Sequence, residues 1–267
     1  MAQVDIKECT IKIWDGTAST ATLDSTNADA DLIFTTKSTH HGSKVVTVAL
    51  VDPAATSQTL AISVTNEAIS VSLATDGGGA ITSTAALIKT AIEADSDANA
   101  LVTVALETSG AGIVEAIAAT TLTGQKSLTV TIGDGNVTYS EKRPVEFRLD
   151  RGIIDTVRLA DEEPMDVSLD FTWTFLSSAT GDSVPTIEEA FKKTGLASSW
   201  ATSSTDACQP YSLDIEILNN PDCGSEDSEI ITIEEFYWEN MDHDLRDGSV
   251  SISGRANRKT ATLARRA

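Results

Sequence analysis

Long apolar runs are missing from this chain. None approaches the roughly 18 residues that a membrane-spanning helix requires, and the opening Met1-Ala2-Gln3-Val4-Asp5 lacks the basic-then-apolar layout of a signal peptide. Positive charge is scarce as well: 19 Lys and Arg stand against 40 Asp and Glu, a formal charge of −21. A surface this acidic repels phosphate, which argues against stable nucleic-acid binding, since that rests on cationic neutralisation. The chain reads as a soluble protein made in a cytosol. Cysteine is too sparse for a disulfide framework, with Cys9, Cys208 and Cys223 alone. Cys208 and Cys223 flank an expected strand at 211–218, about 25 Å long when extended. The five residues 219–223 return at most about 17 Å. A bridge needs Cα atoms roughly 6 Å apart, so free thiols are expected.

What is present is length enough for a large core. The chain has 267 residues, 41% hydrophobic and 22% charged, which suits one or two globular domains. Its composition is uneven. Residues 17–124 hold a single aromatic, Phe34, and no Arg, Trp or Cys. The remaining residues hold twelve of the thirteen aromatics and every arginine. This predicts a β domain formed by 1–16 and 125–267, with 17–124 inserted as a small α+β surface domain. Trp14-Asp15-Gly16 and Thr123-Gly124-Gln125 serve as its paired exits.

The flanking part is β-rich. Met165, Val167, Leu169, Phe171, Trp173 and Phe175 alternate with polar residues over 165–175, a strand of about 37 Å. Tyr211, Leu213, Ile215 and Ile217 repeat the pattern, as do Leu128, Val130 and Ile132, where Gly133-Asp134-Gly135-Asn136 makes a turn into Val137–Ser140. Ile11, Ile13, Val250 and Ile252 extend it. One helix interrupts the strands: Thr186-Ile187-Glu188-Glu189 is a capping box after Pro185, and Gly195 is the expected stop. Ile187, Ala190 and Phe191 give it one apolar stripe to lay on a sheet. The insert reads as strands near 31–36, 44–51, 59–65 and 68–74, a helix over 84–93 with Leu87, Ile88, Ala91 and Ile92 on one face, and a strand at 100–106. Beyond it, Arg255, Arg258, Lys259, Arg265 and Arg266 crowd an acid-free tail. That tail is either a solvated terminus or a basic arm that docks on an acidic neighbouring subunit.

Catalytic signatures do not appear. There is no G-x-S-x-G elbow, Walker loop or complete G-x-G-x-x-G. Gly77-Gly78-Gly79 lacks the Lys-Ser/Thr of a phosphate loop, and His40-His41 reads as a solvated loop pair. Asp242-His243-Asp244-Leu245-Arg246-Asp247-Gly248 is the best metal or acid–base candidate, but it lacks calcium-loop spacing and a closing Glu. It reads better as a polar turn. Asp161-Glu162-Glu163-Pro164 and 222–229 read as acidic loops. No cofactor, metal or catalytic residue is assigned.

The order of phrases in the β part carries a resemblance. Thr10-Ile11-Lys12-Ile13-Trp14-Asp15-Gly16 resumes after the insert as Leu128 to Ser140 and Glu141-Lys142-Arg143-Pro144-Val145-Glu146-Phe147. Leu149-Asp150-Arg151-Gly152, Asp161 to Trp173, Pro185 to Ala190 and Asp242 to Gly248 follow. Together they resemble the tail tube proteins of long-tailed bacteriophages, over nearly all of 1–16 and 126–256. The resemblance implies a mainly β fold, a sandwich- or barrel-like unit with one flanking helix. It implies a non-enzymatic virion protein, assembled in the host cytoplasm into stacked homo-oligomeric rings, usually of six. Such rings surround a tape-measure protein, meet a tail terminator and later let DNA pass without binding it; no membrane partner is implied. On this reading Asp166, Asp170, Asp214 and Glu216 are candidate acidic positions facing lumen or solvent, and the insert lies outside the tube. A terminator, neck or decoration protein forming a single ring is the alternative.

Overall fold

Alternating strands need partners for their backbone groups and a common side for their apolar residues, and two separate cores meet that need here. The computed structural model describes residues 9–37, 45–130, 136–172, 184–204, 206, 208–219 and 228–266. The chain divides into two compact units, Met1–Gly16 with Lys126–Ala267, and Thr17–Gln125. It is a mainly β protein with few helices. In chain order, β1 (Cys9–Trp14) precedes the second unit: β2 (Thr20–Leu23), β3 (Leu32–Thr36), β4 (Thr47–Val51), β5 (Ala61–Thr65), β6 (Ala68–Ser72), α1 (Ala85–Ala94), α2 (Ser96–Leu101), β7 (Val102–Leu106) and β8 (Ile117–Thr121). The first unit resumes with β9 (Ser127–Val130), β10 (Asn136–Ser140), β11 (Val145–Asp150), β12 (Ile153–Leu159), β13 (Met165–Thr172), α3 (Ile187–Lys192), β14 (Leu213–Asn219), β15 (Ser228–Asp244), β16 (Ser249–Ala256) and β17 (Thr262–Arg266).

The strand order in the first unit's main sheet is β10-β13-β16-β15-β14-β1-β9, with β17 also paired to β15. β9 and β10 stand at opposite ends, so the strands on either side of the expected 133–136 turn are not partners; the turn itself lies outside the described residues. The sheet must fold over. Six strand spacings would set flat ends about 29 Å apart, whereas the six residue steps from Val130 to Asn136 reach at most about 21 Å. β15 makes the fold. Its first half lies between β17 and β14, its second half pairs with β16, and the ladder slips near Glu235 and again between Trp238 and Asn240. Glu235 takes a left-handed φ of 53°. Its N–H donates to Asp214 Oδ1 at 2.8 Å, while its carboxylate accepts from Asn257 Nδ2 at 2.7 Å and an Arg258 Nη at 3.1 Å. At the second slip Gly254 is obligatory, because a Cβ there would lie 2.0 Å from the Tyr237 carbonyl oxygen.

Both layers close on one core, with Ile11, Ile13, Leu169, Phe171, Ile215 and Phe236 fully buried. α3 seals it. Thr186 and Glu189 form the expected capping box, Ala190 and Phe191 are buried, and Phe191 meets the Phe236 ring edge-on at 5.9 Å. The helix ends at Lys192, and its cap, two residues before Gly195, is Lys193, which itself adopts the left-handed conformation; Gly195 opens a short 3-10 turn instead. Met165–Thr172 is a strand as expected, while Trp173 and Phe175 lie outside the described residues.

The second unit is a small α+β domain with a three-stranded sheet, β2-β3-β7, and a four-stranded sheet, β5-β6-β4-β8, in which β4 and β6 run parallel. Thr84 caps α1 through the Leu87 N–H, and Asp95 caps α2. Ile88 and Ile92 face the core, but Leu87 points outward at 54% exposure, and β2 and β8 are strands that the sequence pattern did not single out.

Asp15 ties the ends of the first unit together. It is fully buried, its Oδ2 accepts from Ala201 N at 2.9 Å and its Oδ1 from Lys126 N at 3.3 Å, while its own N–H donates to the Lys126 carbonyl. Gly16 follows because a Cβ would sit 1.8 Å from the Thr202 carbonyl oxygen. Asp15→Ala strands two backbone donors in a dry site, and we expect a loss of about 2–4 kcal/mol. Urea unfolding followed by tryptophan fluorescence checks this directly, since all four tryptophans lie outside 17–124.

A candidate assembly surface

Fifteen residues behave unlike the rest of the first unit. β11 and β12 form a two-stranded sheet of their own, and every residue in them is exposed. Arg151 and Gly152 both have positive φ, 49° and 85°, the sign pair that a two-residue type I′ hairpin turn requires. The ladder pairs Val145 with Leu159, Phe147 with Val157 and Leu149 with Ile154, with Asp155 as a bulge. These six apolar residues therefore share one face, and their exposures run from 42% to 64%. The other face carries Glu146 opposite Arg158, joined at 2.6 Å, and Arg148 opposite Thr156.

An amphipathic ribbon with a bare apolar face is physically unfinished. A lone two-stranded hairpin is marginal in water. Covering six half-exposed large side chains offers on the order of 5–9 kcal/mol of gross hydrophobic gain. Strands of six and seven residues are shorter than the 9–11 or so that a membrane-crossing strand needs, so the ribbon suits a protein surface rather than a bilayer. No strand pair was expected over 145–159. The signal was there: V-E-F-R-L and I-I-D-T-V-R-L flank Asp150-Arg151-Gly152, with period-two alternation on both sides.

The ribbon's base is pinned by charge. Lys142 bridges Asp166 at 2.8 Å and Glu163 at 3.4 Å, Lys259 pairs with Glu162 at 2.6 Å, and Ala160 N donates to the Pro144 carbonyl. A recess of about 570 Å³ lies among these groups. Lys142 donates a hydrogen bond to Asp166 and holds that carboxyl below the usual range for Asp; Asp166 in turn holds the Lys142 ammonium above its own.

Next to the ribbon's base lies a contrasting surface, the outer face of β10, β13, β16 and β15. Register rows run Asn136–Asp170–Ser251–Asp242, Thr138–Ser168–Ser253–Asn240 and Ser140–Asp166–Arg255. Small polar side chains and carboxylates dominate it. Ser251 Oγ donates to Asp170 Oδ1 at 2.6 Å, and Arg255 lies 3.6 Å from Asp166 and from Glu239. Asp166 and Asp170 thus occupy the polar face expected of them.

Asp214 and Glu216 do not. They alternate with core Leu213 and Ile215 but are buried, at 4% and 2% exposure. β14 is an interior strand, where Glu216 is in register between Lys12 and Thr232 and Asp214 lies beside Trp14 and accepts from the Glu235 N–H. The basic tail is engaged by neighbours in its own chain. Arg255 belongs to β16, Arg258 reaches Glu234 and Glu235 at 3.1 Å each, and Lys259 holds Glu162. Arg265 and Arg266 lie in β17, in register with Glu229 and Ser228. Strand pairing and ion pairs within the chain engage this segment, while the Arg255, Arg258 and Lys259 side chains stay about half exposed.

The 242–248 cluster is the turn joining β15 to β16. Asp244 Oδ1 accepts from the Arg246 and Asp247 N–H groups, and His243 Nε2 contacts Glu188. Among the described residues no group of three or more His, Cys, Asp or Glu is placed to hold a metal, and no helix is long and apolar enough to cross a membrane. Cys9 Sγ approaches Asn219 Oδ1 at 4.0 Å and Cys208 is an exposed thiol; Cys223, His40 and His41 lie outside the described residues. No family model, curated protein or solved structure matches the chain.

Because Lys142 lowers the Asp166 pKa, this pairing contributes in full above the ordinary Asp range near pH 4. Its contribution fades as pH falls through the lowered value. Carbon-13 NMR titration of Asp166 should give a midpoint below about 3.9, and Lys142→Met should raise it.

Proposed function

We propose that this chain is a structural, self-assembling subunit, non-enzymatic, whose rings stack into the tail tube of a long-tailed bacteriophage. The apolar face of the 145–159 ribbon carries the reading, because the described residues of a single protomer leave it uncovered and a repeating assembly covers it. The family-like phrases at 10–16 and 126–256 give the assembly its kind: homo-oligomeric rings, usually of six, around a tape-measure protein and closed by a terminator.

The four-strand polar face supports a role as a DNA conduit. In a narrow bore, phosphates pass within about one Debye length, roughly 8 Å, of the wall. Small hydroxyls and carboxylates such as Asp166 and Asp170, with little Lys or Arg, repel DNA weakly and offer it no cationic foothold. A wall that bound the genome would stall it. The insert, Thr17–Gln125, has its own core and a junction closed by Asp15 and Lys126, so on this reading it decorates the outside, where 109 residues do not obstruct the channel.

Negative-stain electron microscopy of the purified chain, across concentration and salt, tests the proposal. Stacked rings or open-bored tubes are expected, and Phe147→Asp with Val157→Asp should reduce them at least tenfold. A single closed ring that never stacks would move the reading to a terminator or neck protein. Joining Gly16 to Lys126, which removes Thr17–Gln125, should leave tube assembly intact and narrow the outer diameter. Loss of tubes on that deletion would sink the external placement.

A further inference from the structure

A second unfinished surface lies on the same unit. An open groove of about 1010 Å³ runs between the end of α3 and the middle of β15, lined by Lys192, Lys193, Pro210, Tyr211, Tyr237 and Trp238, among others. Its floor is apolar and firmly built. Tyr211 donates its hydroxyl to the Ala190 carbonyl at 3.0 Å, and burial pushes its phenol pKa up. Tyr237 contacts Gln209, and Trp238 is 36% exposed beside the ladder slip at Gly254. Its rim is basic, in a chain of net charge −21. Lys193 stands over the Tyr211 ring at 5.3 Å, and among the described residues neither Lys192 nor Lys193 has a carboxylate within 4 Å.

The ribbon supplies what this groove lacks. Its apolar face is about two strands wide and roughly 20 Å long. Its distal half carries Asp150, on the polar face beside the turn residue Arg151, and Asp155, bulged out of the ladder, neither acid in an ion pair with a described residue. No residue of a protomer's own ribbon lines its own groove. We infer that the groove is the seat of the ribbon of a second copy of this chain, the apolar face resting on Tyr211, Tyr237 and Trp238 while Asp150 and Asp155 meet Lys192 and Lys193. This rests on the self-assembly reading above and adds to it the acceptor surface. Ribbon and groove are different patches of one chain, so the contact is head-to-tail. Each copy gives one ribbon and receives another, which propagates into a closed ring or a filament rather than stopping at a dimer.

Mixing two full-length variants tests the inference. One carries Phe147→Asp and Val157→Asp in the ribbon. The other carries Lys192→Glu, Lys193→Glu and Trp238→Ala in the groove. Sedimentation velocity should show each variant alone as a monomer, its self-association weakened 100-fold or more. Their equimolar mixture should give a 1:1 dimer that grows no further, since the pair has one intact ribbon and one intact groove and the contact uses both. That dimer would also show that both variants are folded. If the groove variant assembles like the unmodified chain while the ribbon variant does not, the groove is not the seat, and self-assembly through the ribbon stands. If both variants are monomeric and the mixture stays monomeric, head-to-tail pairing is overturned. A ribbon variant that assembles normally, or an unmodified chain that never assembles, overturns the self-assembly reading itself.

Discussion

The bend in β15 at Glu235 is the constraint on which the first unit depends. A strand of seventeen residues would stay in one flat sheet if nothing turned it. Glu235 turns it by taking a left-handed backbone, a conformation that costs a non-glycine residue roughly 1–2 kcal/mol. The Asp214 carboxylate accepts its N–H, and Asn257 and Arg258 hold its side chain. Those same contacts anchor the link between β16 and β17. With the bend in place β10 and β9 come within reach of each other, Phe236 turns into the core, and the polar residues of four strands form one outer face. The buried position of Asp214 follows from this: the acid serves the bend and is not available to a lumen.

Two outer surfaces of the same unit have opposite demands. The polar face of β10, β13, β16 and β15 suits exposure to solvent, its small hydroxyls and carboxylates accessible or bonded to one another as Ser251 is to Asp170. Nothing there calls for a partner. The ribbon and the aromatic groove do call for one, because apolar area left in water at both places is gained back only on contact. Charge works against it. A net charge of −21 keeps copies apart at long range, so the self-association proposed above would have to be specific and short-ranged, with Lys192 and Lys193 locally reversing the repulsion.

Much of this was legible from residue order alone. Period-two alternation gave Met165–Thr172 and the core members of β14 and β1, and the Thr186–Glu189 pair gave the start of α3 with its capping box. The end of α3 was not legible, because Lys193 in a left-handed conformation pre-empts the glycine two residues on. Alternation also named Asp214 and Glu216 as outward-facing. They are buried instead, because how much a neighbouring strand covers a side chain depends on where its strand sits in the sheet. The same limit separated β9 from β10: a turn sequence shows that the chain reverses, not that the two strands it joins become partners. The basic tail looked free because its acidic partners, Glu162, Glu234 and Glu235, lie 23 to 97 residues away in sequence.

Composition by itself determined the split into an aromatic-poor insert and an aromatic-rich β domain, and the repeating apolar pattern determined which strand faces meet the core. Both are local properties, fixed by side-chain type and by the alternation of the pleat. Strand order, the bend at Glu235, the burial of Asp214 and Glu216, and the exposure of the 145–159 ribbon were decided only by the tertiary structure. Each depends on which distant strand lies alongside, and one chain can satisfy the same alternation with several neighbours until packing around a shared core selects among them.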